Sequence, residues 1–173
     1  MVSKQTTQRL FFALWPDNRT RNAIAAVAKQ ATGYHHGKLI RTDNLHLTLA
    51  FLGNIDEAQR DCVEAVAESI SITPFSLCLE HLGIFQRAKV LWLGIKEQPD
   101  ALMQLAESLA VGARACGVQL DEKGFTPHLS LMRKVNQLHE FEVESIHWEV
   151  NRFCLVQSIS HEEGVQYQVV KSW

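Results

Sequence analysis

No two cysteines of this chain lie close enough in sequence to form a CxxC pair; Cys62, Cys78, Cys116 and Cys154 are scattered, each among apolar neighbours. That spacing argues against a zinc site or a disulfide framework, and four buried thiols are expected. Long apolar runs are also missing. The longest early one, Leu10–Trp15, covers six residues before Pro16 and Asp17 stop it, whereas a spanning helix needs roughly 20. No small-residue cleavage region follows it, so a cytosolic protein without a membrane role is expected. A large charge excess is absent as well. A net charge of −2 with a pI near 6.4 disfavours a protein that coats long nucleic acid. Low-complexity stretches and GxGxxG, P-loop or RRM signatures are not found. What remains, 173 residues at 46% hydrophobic and 21% charged, suits one globular domain or two small lobes sharing a core.

The small net charge hides an uneven distribution. Residues 1–41 hold seven Lys or Arg (Lys4, Arg9, Arg19, Arg21, Lys29, Lys38 and Arg41) against one acid, Asp17, so the rest of the chain is net acidic. Such polarity can hold an anionic substrate at one side of the molecule; alone, it reads as a solvated helix face plus a basic loop.

Hydrophobic periodicity predicts alternating strands and helices. Leu10–Trp15 reads as a strand. A helix follows from Pro16-Asp17 to about Ala31 with Ile24, Val27, Ala28 and Ala31 on one face, then a loop containing Gly33 and Gly37. Leu45–Leu52 reads as a strand ended by Gly53-Asn54. Asp56 is the expected N-cap of a helix burying Cys62, Val63, Val66 and Ile70. Strands at Phe75–Leu82 and Lys89–Ile95 flank a turn near Gln86-Arg87. Pro99 then opens a helix carrying Leu102, Leu105, Leu109, Ala113 and Cys116. Strand-like runs follow at His128–Lys134, His147–Ser158 and Val165–Lys171.

This order contains a repeat. Leu10–Trp15, a helix, then His46-Leu47-Thr48-Leu49 matches Val90–Ile95, a helix, then His128-Leu129-Ser130-Leu131, at nearly the same spacing. Strand alternation places His46, Thr48 and Ala50 on one face and Leu47, Leu49 and Phe51 on the other; His128 and Ser130 likewise oppose Leu129 and Leu131. The leucine faces require a core, which turns each imidazole–hydroxyl pair outward. Two such pairs across one cleft suit a phosphodiester. A neutral histidine can take a proton from water, a protonated one can donate to a leaving alkoxide, and the hydroxyls can bind non-bridging oxygens. Imidazole suits both roles because its ordinary pKa is about 6.5. Hydroxyls at the +2 positions are poor zinc ligands, so metal-independent chemistry is expected. A Ser130 nucleophile activated by His128 would lack a nucleophile elbow and a third triad member.

These tetrapeptides resemble the signature of the two-histidine (2H) phosphoesterase superfamily. With Arg9-Leu10-Phe11-Phe12-Ala13, Asn44-Leu45, Ala50-Phe51-Leu52-Gly53, Pro127 and Met132-Arg133 around them, they resemble the bacterial RNA 2′,3′-cyclic phosphodiesterases, formerly termed 2′-5′ RNA ligases. The resemblance runs from about Arg9 to the C-terminus, strongly at the motifs and weakly in the helices. It implies one α+β, bilobal domain over residues 1–173, with two pseudo-symmetric halves, antiparallel sheets lining a central cleft and helices outside. It also implies hydrolysis of an RNA-terminal 2′,3′-cyclic phosphate, as on tRNA fragments, to a 2′-phosphate, with no cofactor, metal or obligate protein partner. His46 would be the proton donor to the 3′ oxygen and His128 the acceptor activating water. Thr48, Ser130 and Arg133 would hold the phosphate. Serine at 130, where relatives often carry threonine, keeps the hydroxyl but loses the methyl that limits its rotamers. Strict alternation puts Arg133 on the leucine face, so a bulge, strand end or strong twist must turn it inward.

Phe11 and Phe12 fall on the strand matched to the cleft wall, where either could stack a terminal base, although core packing is the simpler reading of each. His35, His36, His81, His139, His147 and His161 lack matching partners and read as surface or strand-pairing residues. Trp15, Trp92, Trp148 and Trp173 read as hydrophobic anchors. Two other functions use the same residues: reversible joining or cleavage of 2′-5′ linkages, with a ribose hydroxyl replacing water, and a silent module that grips RNA ends.

Overall fold

The computed structural model describes residues 6–173. In chain order these form β1 (Gln8–Leu14), α1 (Asn18–Ala31), β2 (Lys38–Leu39), β3 (Leu47–Ile55), α2 (Glu57–Ser69), β4 (Phe75–Leu79) and β5 (His81–Phe85). There follow β6 (Val90–Gly94), α3 (Asp100–Ala115), β7 (His128–Arg133), β8 (Ile146–Val150), β9 (Cys154–His161) and β10 (Gly164–Ser172); a 3-10 turn at Thr42–Asn44 precedes β3.

The helices start where their caps dictate. Asp17 accepts the Thr20 N–H at 2.7 Å and opens α1, which buries Ile24, Val27, Ala28 and Ala31. Asp56 and Gln59 form a reciprocal capping box at the start of α2. After Pro99, α3 buries Leu102, Leu105, Leu109 and Ala113. These faces pack with Leu10, Phe12, Leu14, Leu47, Leu49, Leu91, Leu129 and Leu131 in one apolar cluster. Each fully buried leucine in it contributes about 1.5–3 kcal/mol.

The strands pair in the order β10-β9-β1-β3-β7-β6-β5, all antiparallel, with β2 also on β7. The two sheet halves of the expected cleft are therefore fused, but through one residue pair between β3 and β7, Leu47 with Leu129. Beyond that pair β7 takes β2 as neighbour instead, Lys38 opposite Arg133 and Leu39 opposite Met132. A Cβ on Gly37 would lie 2.6 Å from the Arg133 carbonyl, so glycine is required for the approach.

Three strand expectations change. Phe75–Leu82 is two strands in different sheets: β4 pairs β8 in a separate two-stranded sheet, β5 pairs β6, and the Glu80 N–H between them bonds the Gly94 carbonyl. His147–Ser158 is also two strands, interrupted near Phe153, whose backbone pairs with Trp173. β3 continues past Gly53 to Ile55, because glycine accommodates φ +71° beside a bulge at Leu52.

The cysteine expectation also requires correction. Cys62 lies on the exposed side of α2, whose buried stripe is Val63 and Ala67, and it forms a disulfide with half-buried Cys116 at the end of α3. Packing of α2 on α3 brings their Cα atoms to 5.8 Å, a proximity that a sequence separation of 54 residues conceals. Cys154 is a buried thiol as expected, and Cys78 is half-buried. Reduction should lower stability by about 2–4 kcal/mol. Thermal melts with and without dithiothreitol would show this, and a Cys62→Ser, Cys116→Ser double variant should not respond; coincident wild-type melts would refute the staple.

Candidate active site

Each motif strand carries a bulge at the same place. Along β1–β3, Phe12 faces Ala50 and Ala13 faces Thr48, leaving Leu49 as the extra residue. Along β6–β7, Leu91 faces Met132 and Trp92 faces Ser130, leaving Leu131 extra. Two consecutive residues then point inward: Leu49 and Ala50 are buried in β3, Leu131 and Met132 in β7. Alternation resumes one residue out of phase. Ala50, expected beside His46, is in the core, and Phe51, expected on the leucine face, is 63% exposed at the cleft mouth. The same device turns Arg133 to the side of His128 and Ser130.

His46, Thr48, His128, Ser130 and Arg133 thereby line one cavity of about 60 Å³, with Ile40, Asn44, Phe51 and Tyr167. At about 10–15 Å³ per water, this space suits a phosphate group and not a whole nucleotide. Each histidine is fixed by a main-chain carbonyl two residues before it. His46 Nδ1 lies 2.7 Å from the Asn44 oxygen and His128 Nδ1 lies 2.7 Å from the Thr126 oxygen. Nδ1–H donates in both, which leaves each Nε2 as the basic atom. The Thr48 hydroxyl, 3.0 Å from His46 Nε2, donates to it when the ring is neutral.

The two rings differ in their walls. His46 packs against Phe11 (4.9 Å between centroids), stacks on Trp15 (5.6 Å) and meets Tyr167 edge-on (5.0 Å). His128 meets Phe85 edge-on at 4.7 Å, with Trp92 at 6.2 Å. Desolvation is the main reason the His46 pKa falls from 6.5 to about 4; His128 and Arg133 depress it further, and the Asn44 carbonyl opposes the fall. Burial also lowers His128, with the Thr126 carbonyl opposing. Both rings are thus neutral in the empty site near pH 7.

Asn44 ties this geometry to β10. Its side-chain amide donates to the Val165 carbonyl at 2.8 Å, and its oxygen accepts the Tyr167 N–H at 3.2 Å. It is buried, at 8% exposure. Asn44 and Tyr167 were not evident in the sequence because their contacts span more than 120 residues, as the separations of 121 and 123 show. Phe51 was hidden by the bulge; only its recurrence five residues after His46, as Arg133 recurs five after His128, could have exposed it.

Stacking by Phe11 or Phe12 is ruled out by burial, at 2% and 0% exposure. Phe12 faces the main core against Phe153 and Trp173, while Phe11 supports His46. His35 is neither a surface nor a strand residue: it is buried, its Nδ1–H donates to the Ala31 carbonyl and its Nε2 accepts the His139 N–H. The basic N-terminal segment does not gather at the cavity. Arg19, Arg21 and Lys29 ride on α1, Arg9 is on β1, Lys4 lies outside the described residues, and Lys38 pairs with Arg133 at the cleft.

Two His-x-Thr/Ser strands, joined by one residue pair and lining one phosphate-sized cavity, define a two-histidine phosphoesterase architecture on an antiparallel α+β fold. The chain belongs to the 2'-5' RNA ligase superfamily, whose family model matches residues 16–162. It is 32% identical over 170 residues to the RNA 2',3'-cyclic phosphodiesterase of Escherichia coli (strain K12), covering 96% of each chain. To the Archaeoglobus fulgidus protein of the same name it is 30% identical over 171 residues, covering 92% of this chain and 96% of the other. Among solved structures, E. coli LigT complexed with 3'-AMP superposes with a TM-score of 0.90 at 30% identity, over 96% of this chain and 97% of that one. A Thermus thermophilus protein, TT0787, gives 0.79 at 25% identity, over 95% and 96%.

The depressed His46 pKa has a defined sign in stability. Between about pH 6.5 and 4 the unfolded chain binds a proton that the folded protein refuses, so stability rises with pH across that window and is lost as pH falls through it. Denaturant midpoints of the unliganded protein should follow this slope, and His46→Gln should flatten it; an unchanged slope would refute the assignment. Asn44→Ala removes two partly buried hydrogen bonds and should cost about 1–3 kcal/mol by the same measurement. A loss below about 0.5 kcal/mol, on the scale of an ordinary surface substitution, would show that the β10 tie carries little.

Proposed function

We propose that this protein hydrolyses the 2′,3′-cyclic phosphate at an RNA terminus to a 2′-phosphate, without metal. The observation that carries this reading is the pair of histidines, both presenting Nε2 to one phosphate-sized cavity that also holds two hydroxyls and a guanidinium. Relatives named RNA 2',3'-cyclic phosphodiesterase, matched over nearly the full chain, support it.

His128 Nε2 accepts a proton from water as the water oxygen bonds to phosphorus. The P–O3′ bond breaks, and His46 Nε2–H donates its proton to the departing 3′ oxygen. Thr48 and Ser130 hydroxyls and the Arg133 guanidinium stabilise the charge gathered on the non-bridging oxygens. The empty site lacks the proton that His46 must give, since its pKa is about 4. An entering phosphodiester anion reverses that balance: its charge favours the imidazolium and offsets the repulsion from Arg133 and His128. Phe51, which lines the cavity and is exposed, offers a face to the terminal base. The same acid–base pair can join 2′-5′ ends when a ribose hydroxyl replaces water, and dilute aqueous solution drives it toward hydrolysis.

RNA ending in a 2′,3′-cyclic phosphate, incubated in EDTA, should yield 2′-phosphate ends. His46→Ala and His128→Ala should each lose at least about 10²-fold in kcat. Exclusive 3′-phosphate product, a requirement for added metal, or near-full activity in either variant would overturn the mechanism. Tight binding of a 2′-phosphate end without turnover of the cyclic one would instead mark a silent end-binding module.

A further inference from the structure

The stretches between Asp17 and Asp43, between Glu80 and Glu97 and between Glu122 and Glu140 carry Lys or Arg and no Asp or Glu. They are distant in sequence, yet β2, β6 and β7 bring them side by side. Lys38 lies directly opposite Arg133, and Arg133 opposite Val90, whose neighbour is Lys89. Adjacent strands are about 4.8 Å apart, so the backbones of Lys38, Arg133 and Lys89 fall within a band about 10 Å wide, and Lys89 leaves strand alternation through its left-handed φ. Residues directly opposite in an antiparallel pair share a face, so Lys38 is on the side where Arg133 lines the cavity. Like charges directly opposite destabilise a ladder. Among the described residues, neither Lys38 nor Arg133 has a salt-bridge partner, and the same holds for Lys89, Lys134 and Arg87.

The strand ends sharpen the pattern. Lys134 follows β7 at φ +62°, and β6 is entered from Lys89 at φ +54°; the Val135 N–H bonds the Lys89 carbonyl, so the two lysines sit on adjacent stretches of backbone. Left-handed positions favour glycine or asparagine, and here both carry exposed lysine. In the other half of the sheet, the β9–β10 turn, three residue pairs along the hairpin from Tyr167, carries Glu162 and Glu163. The cavity itself has room for one phosphate, so the rest of a polynucleotide must run over the surface, and the charge leaves it one favourable direction.

We infer that Lys38, Lys89 and Lys134 form a backbone track for the nucleotides 5′ to the reacting terminus, which distinguishes an RNA chain from a cyclic mononucleotide. This rests on the proposed reaction and extends it to the choice of substrate. The contacts are to phosphates, so the track selects for chain and not for base.

The test compares wild type with a Lys38→Gln, Lys89→Gln, Lys134→Gln triple variant on two substrates. These are a ten-nucleotide RNA ending in a 2′,3′-cyclic phosphate and 2′,3′-cyclic AMP. For the oligonucleotide, kcat/KM should fall at least tenfold. Its log–log dependence on salt should flatten by about 2, from roughly 0.7 per phosphate contact on a single strand. Hydrolysis of the mononucleotide should change less than about twofold. Equal losses on both substrates, or no loss on the oligonucleotide, would overturn the track. If wild type hydrolyses neither substrate, the proposed reaction has failed and binding alone decides the track. Anisotropy of the same oligonucleotide with a 2′-phosphate end should then show at least tenfold weaker binding by the variant, and equal affinity would refute it.

Discussion

β3 and β7 meet at Leu47 and Leu129 and then part. Full pairing of these strands would hold them about 4.8 Å apart along their length and leave no cavity. No pairing would leave each histidine on a sheet half free to settle independently. A single contact, with both leucines wholly buried, anchors the separation at one end, while β2 on the flank of β7 keeps it open at the other. His46 immediately precedes Leu47 and His128 immediately precedes Leu129, so both rings emerge at the apex of the wedge. The cavity is as wide as this divergence allows.

Onto this frame the duplicated halves place different chemistry. The backbone devices are the same: a carbonyl two residues before the histidine, a hydroxyl two after it, and a bulge that presents the fifth residue. The side chains delivered are not. One bulge presents an aromatic ring at Phe51 and the other a cation at Arg133. One histidine is closed in by three aromatic rings and held near pKa 4, while the other is less enclosed. Repeating the backbone fixes two imidazoles in space; on the proposed mechanism, varying the walls separates acid from base.

What could be read from sequence was whatever depends on near neighbours. Helix starts at Asp17, Asp56 and Pro99 follow from caps and periodicity, and the paired His-x-Thr/Ser strands follow from alternation around buried leucines. Features set by partners far along the chain could not be read this way. The Cys62–Cys116 bridge needs the packing of α2 on α3, the Asn44 clamp needs β10, and the break at Glu80 needs a second sheet. The bulges are the instructive case. Alternation placed both Phe51 and Arg133 on the leucine face, because an extra residue in a strand leaves no mark on composition.

The enclosure of His46 by Phe11, Trp15 and Tyr167 also changes what counts as a reactant. A ring held near pKa 4 brings no stored proton to the encounter at neutral pH, so hydrogen ion must be taken up from solution with each substrate. On the proposed mechanism a proton enters at His46 only in company with an anion, and the proton that His128 takes from water is released afterwards. The empty cleft is therefore not a primed acid that could act on whatever passes, and selectivity begins with the arrival of negative charge.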